Sequence, residues 1–412
     1  MIKQAEKAFT IAMLFYLTGA VFHLLTGTLV GSSPMQGNVR LLAIQVTFYA
    51  VAFIFMAMSW RCFLYAAWKA KWVGALVIIA VLSAAWSQDP YFTLRRGIVL
   101  VATTAFGIYF GSRYTVKEQL QLLGWACVLV VLSSVFVVVF FPRYGIDHDL
   151  FPGAWKGAFP HKNAFARILW LSALVFYFAR PRAWRWILLA VPMCLLVLSR
   201  SVTGMVAFGL VIITLPLYRL FRQKMSVWIP TFLLLGGAFL VAIFLVGATL
   251  PDVLQAMGRD PTLTGRTYLW KAVLPSIAGH CWLGYGFNAF WLGMRGQSAS
   301  VLVRVGYVVS QAHNGFLNLV LELGLVGLGA FLAGYLQIWQ RAFRFLRIST
   351  DPIPLWLCTY LTLMLIYNLV ESSILKQNDI FWVLYTSVAV SVFLYKPAKP
   401  IAPVIAADRE EA

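Results

Sequence analysis

Charge is scarce in this chain of 412 residues, and negative charge is scarcest. Only 11% of residues are charged, with 14 Asp and Glu against 33 Lys and Arg. A soluble domain carries about a quarter of its residues as charges, and it cannot hide a chain that is 61% hydrophobic inside its core. This balance excludes disorder, a collagen-like repeat and a coiled coil. Cysteine is also sparse. Cys62, Cys127, Cys194, Cys281 and Cys358 show neither paired nor metal-ligand spacing, which excludes a disulfide scaffold. Those inside apolar runs read as small core hydrophobes.

What the chain does have is successive apolar runs of roughly 20 residues, the length that crosses a bilayer as a helix. The predicted fold is an all-α polytopic membrane protein with about twelve spans. They fall near 9–30, 41–59, 72–86, 97–112, 119–141, 163–180, 184–199, 202–220, 227–249, 314–338, 354–370 and 380–395. The N-terminal run is too long for the apolar core of a cleaved leader, so it reads as the first span. The organisation is then 1–249 with nine spans, 250–313 as one large loop, 314–395 with three spans, and 396–412 as a tail.

The net charge of +19 would suggest nucleic acid in a soluble domain, but here basic residues orient helices, and no nucleic-acid partner is expected. With the N-terminus in the cytoplasm, each cytoplasmic segment holds two or three basic residues, among them Lys3, Arg61, Lys69, Lys71, Arg113, Arg219, Arg341 and Lys396. Both termini are therefore expected inside. Orientation does not explain the cations left on the outer side. Lys162, Arg167, Arg200 and Arg266 fall at predicted membrane edges, where an unpaired cation is costly, and they suggest a polyanionic ligand such as a lipid pyrophosphate.

The 250–313 loop has room for a site. Thr264–His280 predicts a short helix opened by Thr264 and Gly265, interrupted by Pro275, with Arg266 near its N-terminus. Trp270, Leu274, Trp282, Phe287, Phe290 and Trp291 make the segment aromatic and amphipathic. It reads either as an interfacial helix in the headgroups or as a lid over a polyprenyl chain. His313 and Asn314 stand where the tenth span begins. A helix N-terminus disfavours imidazolium, so a histidine there is expected to stay neutral and serve as a general base, unless it is simply structural. Glu322 shares a face with Asn314 and Asn318 and reads as buried polar packing. His161, Lys162 and Asn163 open the sixth span, and Arg200 lies in the hairpin between spans seven and eight.

Together these patches resemble the O-antigen ligases and the related O-antigen polymerases. The motifs are Phe159 to Asn163; Thr264, Gly265, Arg266 and Thr267 with Trp270; Gly284, Tyr285 and Gly286; and His313 to Leu317 with Glu322, Leu323 and Gly324. The resemblance implies a GT-C-like fold with a large periplasmic loop, in the bacterial inner membrane. It implies a glycosyltransferase in lipopolysaccharide biosynthesis that moves O-antigen from undecaprenyl pyrophosphate onto a sugar of the lipid A core. His313 and Arg266 would be the catalytic pair, with His313 as the base. Arg200, Lys162, His161, Asn163, Asn314 and Tyr285 would contact substrate and pyrophosphate. Inversion at the anomeric carbon is expected.

Asp147, His148 and Asp149 look like the metal-binding triplet of nucleotide-sugar transferases. The implied donor has no nucleotide and arginines supply positive charge, so neither a metal nor a cofactor is expected. An O-antigen polymerase, a protein O-glycosyl ligase and a lipid-linked sugar transporter remain alternatives. Apart from His23, Arg167 and Glu322 the spans are clean, which favours an enzyme at one membrane face over a conduit.

Overall fold

The computed structural model describes residues 2–20, 39–149, 151–179, 182–223 and 266–395. Among these the regular structure is helical, with one isolated bridge between Ile146 and Trp155. Four helices are long and apolar enough to cross a membrane: Val39–Met58, Val116–Phe140, Gly315–Ile348 and Pro352–Val370; a fifth is added if Trp60–Lys69 and Lys71–Ala85 form one span. Trp186–Leu198, Gly204–Leu220 and Ile380–Leu394 are shorter apolar helices. The chain is therefore a multi-pass helical membrane protein. Every expected span with described residues falls on a helix, whereas 227–249, His23, Thr264 and Gly265 lie outside the described residues. Among the described residues, fewer than twelve helices meet the length and hydropathy requirement. Arg95 and Arg96 in Pro90–Arg113, and Lys162 and Arg167 in Lys162–Ala179, lower the hydropathy of those two.

The described chain forms two compact units. The first comprises the described residues of 1–71, 99–211 and 376–395. Its centre is Val116–Phe140, which packs on Ile2–Leu17 and Lys162–Ala179. That helix starts at a reciprocal cap: Glu118 N–H donates to Thr115 Oγ1, and Thr115 N–H donates to Glu118 Oε2. Such a cap is worth about 1 kcal/mol. Polar pairs tie the buried faces together. Arg113 grips Glu6 through Nε at 2.6 Å and Nη2 at 2.9 Å, and Tyr109 donates to the same carboxylate. Arg167, one of the expected outer cations, is ion-paired at 2.9 Å with Asp379, which also caps Ile380–Leu394. Removing one partner of such a buried pair costs about 3–5 kcal/mol.

The second unit comprises the described residues of 72–98 and 212–375. Here Pro352–Val370 packs along Gly315–Ile348. The segment before the long helix contributes Arg266–Gly279 and Ser298–Val305, packed on each other around Leu269, Ala272, Val273, Phe290 and Val301. Contrary to expectation, Pro275 does not interrupt its helix, which runs on to Gly279. A proline forfeits one backbone hydrogen bond, and the burial of Leu269, Ala272 and Val273 one turn earlier anchors the helix across that defect.

Gly315–Ile348 is broken at Gly324, where φ is 65° and ψ is −165°. In an unbroken helix the carbonyls of Leu321 and Glu322 would accept from the N–H groups of Leu325 and Val326. They accept instead from Tyr285 and Gly286, each at 2.9 Å, while Leu325 and Val326 donate to Cys281 and Trp282. Two helix bonds become four bonds to the 281–286 segment, so the break is satisfied inside the protein, as lipid demands. The close approach needs glycine. A Cβ at Gly324 would collide with the Trp282 carbonyl oxygen, and one at Gly284 would sit 2.6 Å from the Glu322 carbonyl carbon. The two glycine motifs of the sequence are thus the two halves of one backbone lock.

Candidate active site

In the second unit, three segments distant in sequence meet at one carboxylate. Arg266 opens its helix and donates through Nη1 to the Val370 carbonyl at 2.5 Å and through Nη2 to Glu371 Oε1 at 3.1 Å. The other oxygen, Oε2, lies 3.2 Å from His313 Nδ1 and accepts from Gln311 Nε2 at 3.2 Å. The Arg266 and Glu371 side chains are only 12% and 14% exposed, and that of His313 is 35% exposed. Water therefore screens the Arg266–Glu371 pair weakly, while the imidazole keeps access to a ligand.

Local structure explains the meeting. Trp270 stands one turn after Arg266 and donates from Nε1 to the Ala312 carbonyl at 2.9 Å, tying the Arg266 helix to the residue before His313. His313 is held at φ 49°, an unusual conformation for a side chain of its size. It turns the chain into Gly315–Ile348, whose cap is Asn314: its Oδ1 accepts from Phe316 and Leu317 at 3.0 and 3.1 Å. Glu371 terminates Pro352–Val370. With Nδ1 turned to the carboxylate, Nε2 is the nitrogen left to face a substrate.

Glu371 is the residue that sequence reading missed. It lies 58 positions beyond His313, so no local spacing links the two. A signal did exist, because this is one of few acids in the chain and it comes directly after a span, at a membrane edge.

Two residues expected to contact substrate also make structural contacts in this unit. Asn314 is the helix cap just described, and its Nδ2 donates to the Leu369 carbonyl at 3.4 Å. Tyr285 is buried at 7% exposure, donates from its hydroxyl to the Ser276 carbonyl at 2.9 Å, and packs on His280 and Phe290. Burial pushes its phenol above the ordinary value, which suits a neutral strut. Glu322 matches the expected polar stripe: it accepts from Asn318 Nδ2, and Asn318 Oδ1 accepts from Trp291 and from Ala312 N–H.

The other expected residues lie in the first unit. His161 caps Lys162–Ala179, its Nδ1 accepting from Asn163 N–H at 3.2 Å, and Asn163 Oδ1 accepts from Ser201. These bonds account for both as parts of the helix start. Two cations converge on the turn at residues 151–153. The Lys162 ammonium lies 3.4 Å from the Phe151 ring centroid, and Arg200, itself at φ 50°, donates to the Pro152 carbonyl at 3.3 Å. Asp147 organises the same loop: its Oδ1 accepts from Asp149 and Phe151 N–H. Burial would raise its carboxyl, but those two bonds, with Lys156 and His161 nearby, hold it below the ordinary aspartate value. That oxygen is engaged by backbone rather than presented to a metal. Among the described residues no group of three or more His, Cys, Asp or Glu forms a metal site.

The chain is 29% identical over 279 residues to the exopolysaccharide production protein ExoQ of Rhizobium meliloti (strain 1021), a match covering 62% of this chain. The chain spans 61% of that relative's length. Residues 187–332 match the family model described as O-antigen ligase. That stretch contains Arg200, Arg266, His313 and Gly324; Glu371 lies beyond it. Across residues 187–332 the chain is thus similar to the O-antigen ligase family, the family its motifs resemble.

Proposed function

We propose that the chain is a glycosyltransferase acting at the outer face of the bacterial inner membrane, moving O-antigen from undecaprenyl pyrophosphate onto a sugar hydroxyl of the lipid A core. The observation that carries this reading is that one carboxylate, Glu371, holds both the His313 imidazole and the Arg266 guanidinium. In the step, the acceptor O–H proton passes to His313 Nε2 as the oxygen bonds to the anomeric carbon. The bond from that carbon to the phosphate oxygen breaks, and its electron pair leaves on the pyrophosphate. Glu371 orients the ring and stabilises the imidazolium that forms. Arg266, with its planar fork, stabilises the leaving charge. Attack opposite the leaving group inverts the anomeric centre, which NMR of the new linkage against the donor tests.

No metal is needed in this scheme, and activity is expected to survive chelation. Loss on chelation with recovery on Mg²⁺ or Mn²⁺ addition overturns that part.

A second reading is polymerisation, in which the acceptor is another lipid-linked glycan. The relative named for exopolysaccharide production favours it. Purified protein in nanodiscs, given lipid-linked O-polysaccharide and rough lipopolysaccharide, separates the two. A ladder on the lipopolysaccharide supports ligation. Growth on the lipid carrier alone selects polymerisation, and no transfer to either acceptor rejects both.

A further inference from the structure

The helix Trp60–Lys69, in the first unit, has no part in the site described. It comes directly after the apolar span Val39–Met58, and a single residue separates it from the next helix, which opens at Lys71. Its ten residues rise about 15 Å, half the hydrocarbon thickness, so it cannot span alone. Nor does it read as half of a bent span. The joint would then place Lys69 and Lys71 near the bilayer centre, where each cation costs several kcal/mol. With Val39–Met58 as a span, Ser59 and Trp60 fall at its end, and the charges of Lys69 and Lys71 favour the same interface for the other end of the helix.

Its two faces differ. Ala66 is fully buried, and the helix packs by that side against Ile380–Leu394. The opposite face displays Trp60, Leu64, Tyr65 and Trp68, each more than half exposed. At 100° per residue Trp60, Leu64 and Trp68 form one apolar sector, while Arg61, Tyr65 and Lys69 form the sector beside it. Each cation leans on an aromatic: the Arg61 guanidinium carbon lies 5.4 Å from the Trp60 ring and the Lys69 ammonium 5.2 Å from the Tyr65 ring. Aromatic rings seek headgroup depth, and the basic sector is complementary to anionic phosphate.

We propose that Trp60–Lys69 lies in the membrane plane as an anchor for anionic phospholipid headgroups, with its Trp60, Leu64 and Trp68 sector in the acyl boundary and Arg61 and Lys69 on the phosphates.

The full chain, labelled with 5-fluorotryptophan and placed in nanodiscs, tests this by fluorine NMR. The Trp60 and Trp68 signals are assigned by their loss in Trp60→Phe and Trp68→Phe. Both are expected to broaden strongly with a headgroup-bound gadolinium lipid, weakly with a lipid spin-labelled near the chain end, and alike within about two-fold, because an in-plane helix keeps one depth. A depth that differs several-fold between the two indicates a spanning segment, and insensitivity to both lipids indicates a protein-covered or aqueous face. Either result overturns the proposal. Headgroup-labelled phosphatidylglycerol should broaden both signals more than labelled phosphatidylcholine does. Arg61→Gln with Lys69→Gln should cut that preference by about five-fold per cation. An unchanged preference in this variant, with the depth retained, removes the anionic assignment.

Discussion

His313 Nδ1 lies 3.2 Å from Glu371 Oε2, and that contact fixes which ring nitrogen is left for chemistry. If His313 is the base, His313→Ala removes turnover by about 10²–10⁴-fold while donor binding is largely kept. Glu371→Gln is expected to lose rate on a similar scale, since an amide can donate to Nδ1 and select the wrong tautomer. Single-turnover ligation and donor affinity in nanodiscs measure both. Near-normal ligation by His313→Ala sinks the base assignment.

Arg266 serves two acceptors with two different nitrogens, a geometry that an ammonium cannot copy. Arg266→Ala should weaken donor binding and rate together, by about 10–10²-fold for one charge-assisted contact. Arg266→Lys should recover little of it. A lysine variant with full donor affinity and rate shows that only the charge matters.

Gly324→Ala should destabilise the fold. The backbone conformation alone costs about 1–3 kcal/mol for a residue with a Cβ, before the contact with the Trp282 carbonyl oxygen is counted. Gly329→Ala, in the same helix with nothing within 4 Å of its would-be Cβ, is the control and should be neutral or slightly stabilising. Thermal midpoints and amide exchange at Leu325 and Val326 report the difference. Equal midpoints for the two variants contradict the lock.

The Asp147 loop should loosen in acid. The folded carboxyl sits below the ordinary aspartate value of 3.8, so its stabilisation is complete at neutral pH and is lost as pH falls through the lower folded value. Limited proteolysis of residues 147–155 from about pH 6 to about pH 3 should rise only at the acid end. Asp147→Asn should flatten that dependence. A wild-type profile that changes above about pH 5 points to another group.

Sequence periodicity locates most helices because lipid imposes one rule on every span: about twenty apolar residues and a satisfied backbone. It locates Arg266 and His313 because both begin helices, where a polar side chain at an apolar boundary stands out. It cannot pair them. Their link runs through Glu371, and a contact across so many residues leaves no local pattern. Tyr285 illustrates a related limit of local pattern: a glycine-flanked tyrosine signals a tight backbone approach, and only the fold shows that this approach is made to Leu321 and Glu322. Asn314, similarly, is a cap by position, which any asparagine before a helix is apt to be.

The break at Gly324 bears on how this protein is made. A span leaving the ribosome's insertion machinery with a gap in its hydrogen bonding would expose the Leu321 and Glu322 carbonyls and two N–H groups to hydrocarbon. The segment that fills the gap, Cys281 to Gly286, lies earlier in the chain and so is synthesised first. At about 5–20 residues per second the wait for its partner is on the order of seconds. Synthesis thus delivers the plug before the hole. A chain permuted so that residues 281–286 come after the span would reverse that order and leave the span to insert incomplete.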